Sequence, residues 1–84
     1  MSLLLRRQLD NPFHFDKALD GQLAGEVLSP YDRRVLIHVL HERGLSDRQI
    51  AAHTGWTLYT AARLRDDIGL TPNPHTDQLE VLAG

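Results

Sequence analysis

The 84-residue sequence predicts an all-α fold: a small helical domain of four to five helices with a three-helix core. Three observations carry that prediction. Helix-start residues are followed at helical distances by glycine: Ser29-Pro30 before Gly44, Ser46 before Gly55, and Thr57 before Gly69. Between these marks the apolar residues recur at intervals of three and four, which places them on one helix face. No two alternating runs separated by a tight turn are present to announce a β-hairpin. The expected organisation is one domain, with an arm or short helix over 1–15, a helical core over 16–70 and a tail over 71–84.

Ser2 to Gln8 has the pattern of a short amphipathic helix, with Leu3, Leu4, Leu5 and Leu9 on its apolar side. So short a segment is not helical alone, so it must dock on the domain, dock on another chain, or fray. Asn11-Pro12 is expected to end it, because the residue before proline is pushed out of helical angles. Phe13 and Phe15 are expected to anchor the connection to the core, with His14 facing solvent. Asp16 then offers a cap for a helix running to about Leu28, with Leu19, Leu23 and Val27 four apart. Gly21 and Gly25 lie inside it and cost about 1 kcal/mol each relative to alanine. Their spacing either lets another helix approach closely or breaks this one.

Ser29-Pro30-Tyr31-Asp32 is the clearest start signal: serine caps, proline takes the first helical position, and an acid follows three residues after the cap. Tyr31, Val35, Leu36, Val39 and Leu40 form a stripe along this support helix up to Arg43. Gly44 ends it, and Leu45 is expected to cover Leu40.

Gly44 to Leu70 contains the most ordered pattern. Ser46 and Gln49 form a capping box, and Ile50 and Ala51 supply the inward face of a short helix. Gly55 stops that helix, because glycine takes the left-handed angles a tight turn demands. Trp56 is expected to follow as a buried wedge, and Thr57 caps a second helix with Ala61, Leu64 and Ile68 on one face. Gly69 closes it, and Leu70 folds back. A small residue, a turn glycine, an apolar residue and two inward apolar positions, in that order, are what a helix-turn-helix requires. The run Gly55-Trp56-Thr57-Leu58-Tyr59-Thr60-Ala61-Ala62-Arg63-Leu64 resembles the turn and recognition helix of small bacterial and phage helix-turn-helix DNA-binding proteins. The resemblance covers about a third of the chain and implies a DNA-reading second helix.

Composition narrows the function classes. There is no cysteine, which excludes disulfides and thiolate zinc sites. No apolar run approaches the ~18 residues of a membrane span, and the leucines of the first residues precede Arg6 and Arg7, the reverse of a signal peptide. A cytoplasmic protein without membrane contact is therefore expected. The formal net charge of −2 runs against a general nucleic-acid binder. Its distribution is uneven, however. Residues 30–65 carry Arg33, Arg34, Arg43, Arg48, Arg63 and Arg65 against Asp32, Glu42 and Asp47, whereas Asp66, Asp67, Asp77 and Glu80 follow with no base. His38 and His41 lie three apart, but two imidazoles without a third ligand do not make a metal site. No phosphate loop, nucleophile elbow or paired-acid motif is present, so neither enzyme activity nor a cofactor is expected.

For a double-stranded DNA partner, Thr57, Leu58, Tyr59, Thr60 and Arg63 are the expected contacts from the second helix. Arg63 suits a bidentate pair with guanine, and Leu58 a thymine methyl. Ser46 and Arg48 would meet phosphate at the start of the first motif helix. A homodimer is expected, because one short helix reads only a few base pairs. The competing expectation is a protein-interaction module, binding a component of a transcription or replication machine. The N-terminal leucines or the acidic C-terminal end would then meet the partner. Asp67, four residues after Arg63, is placed to neutralise it.

Overall fold

The structure, a computed structural model, describes residues 8–74 and is all-α: four α-helices and one 3₁₀ turn, with no strand among those residues. In chain order they are α1 (Pro12–Leu19), the 3₁₀ turn Gly25–Val27, α2 (Pro30–Glu42), α3 (Asp47–Thr54) and α4 (Leu58–Asp67). The short helix expected over Ser2–Gln8 and the tail from Thr76 onward lie outside the described residues, apart from Gln8. No helix among the described residues is long and apolar enough to cross a membrane.

The first helix corrects two expectations. Asn11-Pro12 starts this helix, ahead of the cap expected at Asp16. The extended angles that proline imposes on Asn11 (φ −140°, ψ 87°) are those an N-cap needs, and the Asn11 side chain accepts the His14 N–H at 3.0 Å. The helix therefore runs from 12 to 19, and Asp16 lies inside it. It does not continue to Leu28. The Gln22 N–H closes it on the Lys17 carbonyl at 2.9 Å, and Val27 ends up exposed. With helical rotation, Phe13 and Phe15 point to opposite sides. Phe15 is buried, whereas Phe13 is 66% exposed with the Lys17 ammonium 4.9 Å above its ring. Only Phe15 anchors this segment.

The support helix α2 starts and stops where its sequence marks lie. Ser29 Oγ accepts the Asp32 N–H, and the Leu45 N–H reaches back to the Leu40 carbonyl at 3.2 Å beyond Gly44. Its buried stripe differs in one position: Ile37 is fully buried with Leu36 and Leu40, while Val35 and Val39 are half-buried at the margin. The Asp32 carboxylate has a longer reach than a cap residue. It is fully buried and accepts the N–H groups of Asp10 (2.8 Å) and Asn11 (2.9 Å), fastening the start of α1 to the start of α2. Arg33 Nε donates to the Leu28 carbonyl at 2.9 Å and Nη2 to that of Glu26 at 2.5 Å, so the α1–α2 connection is held from inside.

The core is contiguous: Phe15, Ala18 and Leu28, with Leu36, Ile37 and Leu40 of α2, meet Ile50 and Ala51 of α3 and Ala61 of α4. α2 packs against each of the other helices, and α3 lies mainly on α4. Past Leu70 the chain folds back onto the end of α2. Asn73 Nδ2 donates to the carbonyls of His41 (2.9 Å) and Leu45 (3.0 Å), and His41 Nε2 donates to the Thr71 carbonyl at 2.5 Å. Since a carbonyl only accepts, this bond places a hydrogen on Nε2 of His41.

Candidate functional site

α3, the turn 55–57 and α4 form the helix-turn-helix unit that the pattern required. Ser46 and Gln49 close both halves of their capping box: the Ser46 side chain accepts the Gln49 N–H, and Gln49 Oε1 accepts the Ser46 N–H at 2.8 Å. Gly55 takes φ +78°, and a Cβ built there meets nothing nearer than Ala24 Cβ at 3.9 Å. Its requirement is conformational and not one of space. Thr57 Oγ1 accepts the Thr60 N–H at 3.1 Å and starts α4. Three residues thus connect the two helices.

Trp56 wedges the turn against the support half of the molecule. It is half-buried and not buried as expected, because it packs at the edge of the core, its indole lying on Gly25, where an added Cβ would stand 2.5 Å from Cζ2. Gly25 therefore admits a close approach, as its sequence position allowed, but the approaching group is an indole and not a second helix.

α4 buries Ala61 and, against expectation, Arg65, which is 7% exposed. Leu64 and Ile68 pack at the edge of the core. Arg65 follows Ala61 by one helical turn and so faces the same way. Its Nε donates to Asp47 Oδ1 at 2.7 Å, and its Nη1 donates to the Leu70 carbonyl at 2.6 Å and to Asp66 Oδ1 at 3.3 Å. The hydrogen bond to Asp47 holds the guanidinium pKa above its ordinary value, outweighing the opposing effect of burial. The arginine stays charged at any pH below that raised value, so it loses none of its contribution across the neutral range.

The remaining surface of α4 is the candidate site. Tyr59 is 72% exposed and Leu58 49%, Arg63 is exposed one turn after Tyr59, and Thr60 is half-buried. Tyr59, Ala62, Arg63, Asp66 and Asp67 line one open groove along the outer face of the helix. The Thr57 hydroxyl is committed to Thr60, accepting its N–H and donating to its Oγ1 at 3.0 Å. Ser46, expected to meet phosphate, is 3% exposed with its N–H and Oγ engaged by Gln49, and presents no group for contact. Arg48 is exposed on the first turn of α3.

The neutralisation expected between Arg63 and Asp67 does not occur. No ion pair joins them among the described residues, and Asp66 turns instead toward Arg65. The basic excess of residues 30–65 also survives folding, for a reason composition does not show. Arg33 and Arg65 are drawn into internal hydrogen bonds, but so are Asp32 and Asp47, while Arg34, Arg43, Arg48 and Arg63 stay exposed. His38 Nδ1 lies 2.8 Å from Glu42 Oε1, four residues on along α2, and no group of three metal-ligating side chains assembles among the described residues.

No family model, curated protein or solved structure matches this chain. The functional reading therefore rests on the geometry of α3 and α4.

Proposed function

We propose that this protein is a sequence-specific double-stranded DNA-binding protein that acts in transcription regulation, with α4 as its recognition helix. The observation that carries the reading is the composition of α4's outer face. Its first two turns, Leu58 to Arg63, hold no acid and present Leu58, Tyr59 and Arg63 outward, while Ala61 is fully buried beneath them. A helix that enters the major groove by its N-terminal end places such residues at the base edges. Asp66 and Asp67 lie on the same groove one turn later. They would face phosphate repulsion if the helix lay flat along the DNA, which favours docking N-terminus first.

In this reading Arg63 forks onto guanine, Leu58 meets a thymine methyl, and Tyr59 and Thr60 contact base or phosphate. Thr57 positions the first turn through its cap. Arg48 meets the phosphate backbone from α3. A homodimer supplies a second copy of the short reading helix and so a longer site.

Selection of the purified protein against a random duplex library tests the proposal directly. Enrichment of a two-fold symmetric motif is the expected result, and absence of any enriched motif overturns it. In the enriched duplex, Arg63→Ala is expected to lower affinity by about tenfold to a hundredfold, the cost of one bidentate base contact. Its thermal stability should match the parent, because Arg63 is exposed and in no ion pair among the described residues.

The second reading, a protein-interaction module, is favoured by one observation: Asp66 and Asp67 share the groove of Tyr59 and Arg63. Salt separates the two readings. A phosphate-based complex weakens steeply as salt rises, whereas a protein contact through Leu58 and Tyr59 does not.

A further inference from the structure

We propose that Arg65 is a positioning residue: with Asp47 it sets the crossing of α4 on α3 and hence the direction in which Tyr59 and Arg63 are presented. This inference rests on the DNA-reading assignment of α4 for its consequence, but not for its geometry.

Three observations support it. α3 and α4 each bring a small buried residue to the shared core, Ala51 and Ala61, beside Ile50 and Leu64, and small side chains permit close approach without themselves fixing an angle. The connection of Gly55, Trp56 and Thr57 fixes only one end of the pair. At the other end Arg65 Nε meets Asp47 Oδ1 at 2.7 Å, the only polar side-chain link from α3 to α4 among the described residues. A guanidinium is planar and offers several donors in fixed directions, so a doubly engaged one restrains angle as well as distance. The second anchor is the Leu70 carbonyl at 2.6 Å, which ties the same group to the chain leaving α4. Arg65 therefore joins three segments, the start of α3, the end of α4 and the exit at Leu70, while exposed Tyr59 and Arg63 of the same helix are the side chains it aims.

Stability and orientation are expected to separate here. Asp47 is only partly covered, with 17% of its side chain exposed, so water can solvate its carboxylate once the arginine is gone. Loss of the link is then expected to leave a folded molecule in which apolar packing alone holds the crossing of α4 on α3.

The protein has no cysteine, so a pair introduced at exposed Ala52 of α3 and exposed Asp67 of α4 can be spin-labelled without background. The inter-label distance distribution is measured in the parent, Arg65→Met, Asp47→Ala and Arg65→Lys, with folding checked by circular dichroism. A narrow distribution is expected for the parent and a broadened or displaced one for Arg65→Met and Asp47→Ala, which removes the acceptor. Arg65→Lys, which keeps the charge without the fork, should lie between. Unlabelled variants are then titrated with the duplex enriched by the parent and with a scrambled duplex. An affinity loss of about tenfold for the enriched duplex alone is expected, since a misaimed Arg63 loses a directional contact but not its charge. If Arg65→Met fails to fold, Asp47→Ala decides, as it leaves the buried guanidinium its other partners. Unchanged distances overturn the inference, and so do broadened distances with undiminished discrimination. A parent that discriminates between no duplexes defeats the DNA assignment, and the distances still decide whether Arg65 governs the crossing.

Discussion

The two halves of this molecule are fastened in different ways. α1 and α2 are fastened repeatedly: Asp32 holds the N–H groups of Asp10 and Asn11 at the start of α1, Ser29 Oγ donates to Asp10 Oδ2 at 2.6 Å, and Arg33 holds two carbonyls of the ten-residue connection between the helices. Most of the large core side chains are here as well, among them Phe15, Leu28, Leu36, Ile37 and Leu40. α3 and α4 are joined by three residues, bring fewer large side chains to the core, and share one ion pair among the described residues. The supporting half is over-determined, whereas the half with the outward-facing helix depends on a few angular restraints. Damage to the first should therefore appear as lost stability, and damage to the second as changed presentation.

Asp32→Ala is the largest expected effect. It strands two backbone N–H groups that a fully buried carboxylate now accepts, and hydrogen bonds to a charged group contribute about 1.5–3 kcal/mol each. A loss of about 3 kcal/mol in urea unfolding is expected. A loss below that of an ordinary surface substitution would show that the α1–α2 junction is not the stronger fastening.

Gly25→Ala addresses the seam between the halves. Its methyl would fall within 3 Å of three indole atoms, so Trp56 must move. The expected cost is about 2 kcal/mol, in the range for overpacking, together with a red-shifted emission from the only tryptophan. An unshifted spectrum would mean that the indole does not rest on Gly25. Gly55→Ala is smaller, about 1–2 kcal/mol, because it carries only the penalty of a left-handed angle with space to spare. Below these, Arg63→Ala should leave stability untouched and act on binding alone. A destabilised Arg63→Ala would contradict the separation between support and presentation.

Local signals in the sequence were legible wherever one helix end decides them. Ser29, Ser46 and Thr57 cap, and Gly44, Gly55 and Gly69 terminate, because capping is settled within four or five residues of backbone. The start of α1 is the exception: the sequence places it at Asp16, whereas Asn11 caps it and Phe15, inside it, reaches the core.

For the candidate site, the inward position of Ala61 and the outward positions of Tyr59 and Arg63 followed from the period of α4. The roles of Ser46, Arg65 and Asp32 did not. Each depends on a partner that periodicity cannot name, such as an N–H at residue 10 or a carboxylate 18 positions earlier. A buried arginine is also indistinguishable by type from an exposed one.

By itself, then, the sequence determined that the chain is all-α, where its helices from α2 onward begin and end, and which face of α4 turns outward. Those properties are set by backbone angles and helical repeat over a few residues. Only the tertiary structure decided which charges are internal and which remain on the surface, that Trp56 rests on Gly25, and that Arg65 binds α3 to α4. Burial and pairing depend on what the rest of the fold brings alongside, and that is not written in any local stretch.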